Sequence, residues 1–443
     1  MPFPHACSPG YVHTVLSCLT LLFGAAKAAD YHVATDGSDG NPGTRELPFA
    51  SIHQAQRKAE PGDTVYIRGG TYHMRESDIA RNDGRIACLI ALDKSGRKDR
   101  PIRYFASPGE RPVFDCSKVT PDGLRVSAFR IYGSWIHLKG LEITGVRVNS
   151  RGHTQSISVD NLGNHNIFEQ LSMHDSEAIG LYITRGNNNT VLNCDAYRNH
   201  DRTSEDRRGG NTDGFGCHPR NSEGENNVFK GCRAWFNSDD GFDCINAPDA
   251  VTFINCWAFY NGYSPDFEPL ADGNGFKTGG YGIKPGTRFP DPVPVHRVIG
   301  CLAVRNRSSG FYANHHPGGV EWIHNSASGN GANFNFLGRN PEGTSDIPGR
   351  GHKIINNLSY NSKRDVTNLD PQLNQRAGNS FDQEHKLESR NFLSLDESEL
   401  TAPRQANGEL PTIKFLRLVE GNPLTNTAIP NDVFPARRHP GAL

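Results

Sequence analysis

The stretch GCRAWFNSDDGFDCI (residues 231–245) contains one unit of an internal repeat, followed at once by three aspartates within five positions. The same unit recurs in NCDAYRN (193–199), NCWAFYN (255–261), GCLAVRN (300–306) and HNSASGN (324–330). Every copy has Cys or Asn at its second position, Ala two residues later and Asn at its end. We expect two weaker copies, from Gln170 to Asp175 and from Asn356 to Asn361.

The spacing of the copies predicts the fold. The second positions Cys194, Cys232, Cys256, Cys301 and Asn325 are separated by 38, 24, 45 and 24 residues, which fits a base period of 24 with inserted loops. Such a unit has room for short strands and turns but not for a helix, and strand repeats bury a core by stacking. The sequence therefore predicts an all-β fold, a single-stranded parallel β-helix with an Asn ladder along one turn.

A second column consists of the triplets GLY (180–182), GFG (214–216), GFD (241–243), GFK (275–277) and GFY (310–312). Side chains alternate across a strand, so a middle residue that faces the core leaves the third residue outside. The predicted outward column therefore runs Tyr182, Gly216, Asp243, Lys277 and Tyr312. Asp213 and Asp240, each directly before a triplet, fall beside this column, and Asp239 precedes Asp240.

The acidic residues of this patch indicate a metal site. Asp213, Asp239, Asp240 and Asp243 lie on two adjacent coils and suit a hard cation such as calcium, although the EF-hand spacing is absent. Carboxylates alone would raise the pKa of Lys277, whereas a bound cation would lower it and leave a base. This combination favours proton abstraction beside a carboxylate, as in β-elimination from a uronate polymer. The structural alternative is a solvated acidic edge with Lys277 in a salt bridge to Asp243.

Composition limits the partners and the location. The chain of 443 residues has 47 basic and 48 acidic residues, without the basic excess typical of nucleic-acid binding. Residues 1–28 are predicted to be a signal peptide, with the apolar run TVLSCLTLLFGAA before the cleavage site. No other apolar run is long enough to span a membrane. We expect a secreted, extracellular monomer with no nucleic-acid and no membrane partner.

The two ends depart from the repeat. ASIHQAQRKAEPGDTVYIRGGTY (50–72) predicts a short N-terminal capping helix, with Ile52, Ala55 and Ala59 on its apolar face. We expect the β-helix domain at 29–385 and an irregular C-terminal segment at 386–443 packed on it. The stacked cysteines are within disulfide range, but parallel side chains favour buried free thiols.

These motifs resemble polysaccharide lyase family 9, whose best-known members are pectate lyases. The matching stretches are NTDGFG (211–216), GCRAWFNSDDGFDCI (231–245), NGFKTGG (274–280), the opening stretch 48–72 and the tail 392–416. The resemblance implies a right-handed parallel β-helix that cleaves pectate, or polygalacturonate, with calcium. It also implies that Asp213, Asp239, Asp240 and Asp243 bind calcium and that Lys277 accepts the proton. One departure is FYANHHPGG (311–319), where His315 and His316 stand at positions expected to be Asn.

Other functions fit parts of the pattern. An inverting polygalacturonase shares NTDG and the paired DD, but hydrolysis gives Asp243 and Lys277 no role. A lyase for another acidic polysaccharide, such as rhamnogalacturonan, is a second alternative, and a β-helix that binds carbohydrate with calcium but without turnover is a third. Arg220 and Lys284 are the candidates for contacts to substrate carboxylates, and the insert between Cys256 and Cys301 is expected to wall a groove.

Overall fold

A computed structural model describes residue 1 and residues 28–152, 155–203, 207–219, 227–281 and 289–443. The chain winds into stacked coils, and most coils contribute one strand to each of three long sheets. Strand pairs are parallel, apart from one antiparallel pair in the first coil and one small hairpin. The predicted parallel β-helix is confirmed. Residues 2–27 of the predicted signal peptide lie outside the described residues.

The strands are listed by sheet, in chain order. Sheet A comprises Asp30–Val33, Thr64–Ile67, Ile102–Ala106, Ile136–Lys139, Ile167–Glu169, Thr190–Leu192, Asn227–Lys230, Val251–Ile254, Arg297–Ile299, Glu321–Ile323, Lys353–Ile355 and Gln375–Ala377. Sheet B comprises Gly70–His73, Pro112–Asp115, Glu142–Thr144, Ser172–His174, Asp195–Tyr197, Arg233–Trp235, Trp257–Phe259, Leu302–Val304, Ser326–Ser328 and Leu358–Tyr360. Sheet C comprises Arg81–Asp83, Ile86–Leu92, Arg125–Ile131, Ile157–Asn161, Ile179–Ile183, Phe215–Cys217, Phe242–Asp243, Phe276–Lys277, Ser309–Tyr312, Ala332–Asn335 and Val366–Thr367. The hairpin pairs Gly338–Arg339 with Asp346–Ile347.

The predicted capping helix is Ile52–Lys58. It begins after Ser51, whose Oγ accepts a hydrogen bond from the backbone N–H of Gln54 at 3.1 Å. Ile52 and Ala55 are buried, as expected of a helix that covers the end of the core. The other described helices are 3₁₀ turns at Glu76–Asp78, Ser380–Asp382, Ser389–Asn391 and Glu397–Thr401. Within the described ranges, no helix has the length and apolar character needed to cross a bilayer.

A ladder of buried amides holds one turn of the coils in register. Asn199, Asn237, Asn261 and Asn306 each donate from Nδ2 to Oδ1 of the next ladder residue, ending at Asn330, over 2.9 to 3.0 Å. From Asn199 to Asn330, each Nδ2 also donates to a backbone carbonyl of an earlier coil. The predicted Asn ladder is confirmed, and it satisfies backbone groups that a sharp turn leaves without a strand partner.

The cysteine column plays the same part with thiols. The Cys256 thiol donates to the Phe229 carbonyl at 3.4 Å, while the Cys301 sulfur accepts from the Cys256 N–H at 3.4 Å. Beyond Cys301 the column continues as amides, because Asn325 Oδ1 accepts from the Cys301 N–H at 2.9 Å and its Nδ2 donates to the Val298 carbonyl at 2.8 Å. The described cysteines are free and buried. A thiol here replaces an amide as both donor and acceptor, which agrees with the expectation of free thiols.

The two weaker repeat copies begin one residue later than predicted. Their ladder positions are Ser176, whose N–H donates to Asn199 Oδ1 at 3.3 Å, and Ser362, whose Oγ donates to a ladder carbonyl at 3.2 Å. Asp175 and Asn361, the predicted positions, instead occupy the preceding left-handed turn residue, with φ of 52° and 50°. Asp and Asn tolerate this conformation better than most residues, and the sequence match therefore selected the wrong position.

A third ladder, at the start of sheet A, uses histidine. Asn166 and Asn189 Oδ1 accept backbone N–H groups one coil away at 2.8 and 2.9 Å, and further along His296 and His352 Nδ1 do so at 3.1 and 3.0 Å. His316 is also buried and donates from Nε2 to a carbonyl at 2.9 Å. Burial lowers the pKa of His316 to about 4 and that of His352 to about 3. These imidazoles are therefore neutral in the folded protein.

Stacked phenylalanines fill the core behind sheet C. Phe215, Phe242, Phe276, Phe311 and Phe334 are buried, and successive ring centroids are 5.0, 4.7, 5.1 and 5.0 Å apart. This spacing is close to the separation of neighbouring strands. The stack fixes which face of each strand is inside, so the following residue points out of the coil.

The C-terminal segment packs against sheet B. Phe392, Leu400 and Phe415 share a hydrophobic cluster with Trp257 and residues of neighbouring strands. Arg404 Nη2 donates to Asp195 Oδ1 at 2.7 Å, and Asp195 also accepts from Arg233 at 2.9 Å. The tail is thereby fastened to the coils by both apolar and charged contacts. The boundary at residue 385 stays a prediction.

Replacing Asn261 by Ala should lower the free energy of unfolding by about 3 kcal/mol, because several buried partners lose their hydrogen bonds at once. The measurement is urea unfolding followed by circular dichroism. The matched control is Asn361→Gly, which keeps the left-handed backbone outside the ladder and should change stability by less than about 0.5 kcal/mol. Equal losses in the two variants would contradict the ladder register.

The buried histidines should make the free energy of unfolding decrease as the pH is lowered. Their pKa values are lower in the folded than in the unfolded state, so their contribution is complete above about pH 6.5. Below that pH the unfolded chain binds more protons, and each buried histidine should cost up to about 1.4 kcal/mol per pH unit. In urea unfolding between pH 8 and 5, His352→Asn should show a shallower loss than the parent. Identical slopes would show that His352 does not carry this dependence.

Candidate functional site

The predicted outward column exists on sheet C. The strand register pairs Tyr182 with Gly216, Gly216 with Asp243, Asp243 with Lys277 and Lys277 with Tyr312. A Cβ at Gly216 would lie 2.5 Å from the Tyr182 ring, so any other residue would clash with the ring in its present position. The acidic residues and the lysine therefore meet on one face of consecutive coils.

Three carboxylates converge at this face. Asp213, Asp240 and Asp243 each offer an oxygen, and these oxygens lie within 4.8 Å of one another. Asp213 Oδ1 accepts the Asp240 N–H at 3.0 Å, which links the two coils. All three side chains are buried. Burial, together with the neighbouring carboxylates, raises the pKa of Asp213 well above its usual range.

Asp240 and Asp243 are held in place by donors on opposite sides. Asp240 Oδ1 accepts from the backbone N–H and the side-chain amide of Asn274 at 2.6 and 2.8 Å. Asp243 Oδ1 accepts from the Ile245 N–H at 2.7 Å. Burial raises the pKa of Asp240, whereas Lys277 and His218 outweigh burial at Asp243 and lower its pKa. The two neighbours thus have opposite tendencies to hold a proton.

Asp239, the fourth predicted ligand, lies next to this triad but is not one of its members. Its Oδ1 is buried and has no hydrogen-bond partner among the described residues. Burial, then the charge of Asp240, raises its pKa well above the usual range. A buried carboxylate oxygen without a donor is costly, and a cation would satisfy it.

Lys277 connects the carboxylates across the coil. Its Nζ donates to Asp240 Oδ2 at 2.9 Å and lies 3.3 Å from Asp243 Oδ2. Burial favours the neutral amine, but the surrounding carboxylates outweigh burial and hold the pKa of Lys277 well above its usual value. The protein alone therefore holds an ammonium group here, as expected for a lysine among acids without a cation.

The donor set fits a hard divalent cation. All candidate ligands are carboxylate oxygens, which calcium prefers and which soft transition metals do not select. Several buried carboxylates face one ammonium group, so the cluster has excess negative charge, and Asp239 supplies an oxygen without a partner. A cation would relieve the repulsion among the acids and reduce the pull of their charges on Lys277.

Several neighbours of the site were not predicted. His218 Nε2 lies 3.5 Å from Asp243 Oδ1, and its ring lies 4.9 Å from that of Tyr182. The alternation Gly216 out, Cys217 in, predicts that residue 218 faces out, so the signal was present. His315 lies beside Tyr312, with Nδ1 3.5 Å from its hydroxyl, whereas His316 is buried in the turn.

Two of the predicted site residues were expected to contact substrate carboxylates. Arg220 and Lys284 lie outside the described residues. Among the described residues, the site therefore combines a cluster of carboxylates that could hold a cation with a lysine on the outer face of a sheet. This arrangement suits the binding of an acidic ligand through a cation and the transfer of a proton to an amine.

Comparison with known proteins gives a consistent result. Residues 31–357 match the family described as "Pel9A-like, right handed beta helix region". The chain is 36% identical over 402 residues to pectate lyase L of Dickeya chrysanthemi, covering 89% of this chain and 85% of the relative. It is 30% identical over 433 residues to pectate lyase PEL9 of Emericella nidulans, covering 92% and 96%.

Two solved structures resemble it over nearly their full length. One, named rhamnogalacturonan lyase, has a TM-score of 0.86 and 42% identity and covers 89% of this chain and 97% of its own. The other, pectate lyase Pel9A, has a TM-score of 0.76 and 32% identity and covers 95% and 97%. The right-handed β-helix is thus the fold shared by the chain and its relatives.

Proposed function

The chain belongs to polysaccharide lyase family 9, the Pel9A-like right-handed β-helix family, and from this premise we propose that it is a calcium-dependent pectate lyase with Lys277 as its base. The observation that carries the proposal is the contact of Lys277 Nζ with Asp240 and Asp243 at 2.9 and 3.3 Å on the outer face of sheet C. β-Elimination needs a base beside the cation site, and Lys277 would be that base. Hydrolysis uses two carboxylates and would not require the lysine.

Asp213, Asp239, Asp240 and Asp243 are the proposed calcium ligands. When bound, calcium would supply the positive charge that holds the uronate carboxylate, acidifies the proton on the adjacent carbon and favours the neutral form of Lys277. Asn274 orients Asp240 through two hydrogen bonds, and Ile245 fixes Asp243 through its backbone N–H. The ligand oxygens are therefore held by the fold before any ligand arrives.

Lys277 then accepts the proton from C5 of the uronate. The C5–H and C4–O bonds break, a C4–C5 double bond forms, and the glycosidic oxygen leaves and takes a proton from water. The neutral Lys277 amine becomes an ammonium group, which the flanking carboxylates stabilise, and it then passes its proton to the hydroxide that the water left behind. Arg220 and Lys284 are proposed to hold neighbouring carboxylates of the polymer. Secretion by the signal peptide at 1–28 completes the proposal.

A rhamnogalacturonan lyase is the second candidate. The observation in its favour is the 42% identity and TM-score of 0.86 with a structure of that name, both higher than the values for Pel9A. Rhamnogalacturonan also contains galacturonate, so the same base and cation cluster would serve. Hydrolysis is not supported, because the family is a lyase family.

The deciding experiment supplies polygalacturonate and rhamnogalacturonan separately, with calcium or with a chelator, and follows the ultraviolet absorbance of the unsaturated product. We expect absorbance to rise with polygalacturonate and calcium and to stop with the chelator. A rise with rhamnogalacturonan only would transfer the assignment to the second candidate. New reducing ends without absorbance would overturn the lyase mechanism.

In the same assay, Lys277→Ala should lower kcat by at least about 100-fold, because general-base catalysis contributes roughly that factor or more. Lys363→Ala, at an exposed position just before the sheet C strand that lies three coils beyond Lys277, should keep the parental rate. Near-parental turnover of Lys277→Ala would remove Lys277 from the mechanism, whichever polymer is cleaved.

Calcium should also stabilise the protein without substrate. At a concentration of about 100 times Kd, it should add about 2.7 kcal/mol to the free energy of unfolding, seen as a rise of a few degrees in the thermal midpoint. Asp239→Asn should reduce that rise, whereas Asp122→Asn, at an exposed site, should leave it unchanged. A midpoint that calcium does not move would exclude a strong site in this cluster.

A further inference from the structure

A second feature lies on the same outer face of sheet C, toward the N-terminal coils. A cavity of about 130 Å³ is lined by Arg125, Arg130, Asp160, Tyr182, Arg185 and His218, among others. Tyr182 and His218 also border the aspartate cluster, since His218 Nε2 lies 3.5 Å from Asp243. The cavity therefore continues the outward column and is not a separate surface.

The strand register fixes its distance from the cluster. Arg130 pairs with Asp160, Asp160 with Tyr182, Tyr182 with Gly216, and Gly216 with Asp243. Arg185, three residues after Tyr182, therefore lies on the coil three steps from that of Lys277, or about 14 Å at the usual strand spacing, and Arg130 lies two steps further. A polysaccharide that lies along the column would span this distance with several sugar units.

The cavity has the opposite charge balance to the aspartate cluster. Arg130 Nη1 lies 3.1 Å from Asp160 and Nη2 lies 3.3 Å from Asp83, so this guanidinium is neutralised within the protein. Arg125 and Arg185 add two further positive charges to the lining, and Arg185 is exposed. With Arg130 neutralised, the exposed Arg185 supplies positive charge at the rim of the cavity.

The polar groups of the inner wall are buried, and not all of their hydrogen bonds are made. Asp160 is buried, and its Oδ1 accepts from the Thr184 hydroxyl at 2.6 Å. The Arg130 side chain is only 7% exposed, and its Nε is buried without an acceptor among the described residues. Buried donors normally have a partner, so this corner is short of an acceptor.

We infer that this cavity is a distal subsite that binds a uronate carboxylate of the polymer, several sugar units from the bond that breaks. The inference rests on the proposed function, since the ligand is part of the same substrate. Arg185 is its principal contact, because an exposed guanidinium on the rim can pair with a carboxylate in a bidentate manner. Arg130 and Asp160 shape the wall behind it. Such a subsite favours long chains and cleavage within them.

The test compares substrate lengths in the parent and in Arg185→Ala. The long substrate is an oligogalacturonate that covers the three coil steps, about 14 Å, from Lys277 to Arg185, and the short one fills only the positions around Lys277. Arg185→Ala should raise KM for the long substrate roughly three- to tenfold, with little change in kcat or in KM for the short one. Arg185→Lys should recover part of the loss, and Arg390→Ala, exposed on the C-terminal segment, should have no effect.

Binding without turnover provides the second measurement. The Kd of Lys277→Ala for the long oligosaccharide is measured by calorimetric titration. Adding Arg185→Ala should raise this Kd by a similar factor, and more salt should reduce the difference. Repeating both arms with rhamnogalacturonan oligosaccharides identifies which polymer supplies the carboxylate. If Arg185→Ala left KM and Kd for long substrates unchanged, or raised them equally for long and short substrates, the subsite would be overturned. A parent that cleaves neither polymer would instead overturn the proposed function.

Discussion

The structure depends on how each coil satisfies its backbone at the sharp turns. Strand pairing occupies the N–H and C=O groups within the sheets, but the turns have no such partners. The ladders of Asn, Cys and His side chains supply them, with amide contacts of 2.9 to 3.0 Å repeated from coil to coil. Because each ladder residue contacts its equivalent in the next coil, the ladders fix the register as well as the turn.

The candidate site follows from that register. Once the coils are aligned, the stacked rings of Phe215, Phe242 and Phe276 occupy the core and direct the next residue outward. Asp243 and Lys277 then become neighbours although 34 positions separate them in the chain. The rigid stack keeps like charges together in a way that a flexible loop would not, since repulsion among carboxylates would open it.

One face of sheet C carries two opposite electrostatic environments. Near Lys277 the protein has excess carboxylate, and about four coils away it has excess guanidinium. The carboxylate cluster would need a bound cation before it could attract a polyanionic chain. The guanidinium groups would attract such a chain directly. The proposed function would therefore separate binding along the face from chemistry at one point.

Much of the fold and of the candidate site could be predicted from the sequence, because the residue patterns that determine them are local and repeat in each coil. The repeat of Cys or Asn, Ala and Asn predicted the β-helix and the Asn ladder, and the alternation within each triplet predicted the outward column with Asp243 and Lys277. The one-residue error at Asp175 and Asn361 shows the limit, since an Asn suits both the ladder and the left-handed turn beside it. Only hydrogen bonding in three dimensions distinguishes the two positions.

What the tertiary structure alone decided depends on contacts across inserted loops. The position of Asp239 outside the triad of Asp213, Asp240 and Asp243 depends on side-chain rotamers that no spacing reveals. His296 and His352 replace amides in a ladder only because their turns close around them. The cavity at Arg130 and Arg185 joins residues of separate coils that only the stacking of the coils brings together. The sequence by itself determined the period, the fold and the face of each strand, since these repeat every coil; packing determined which groups on that face meet.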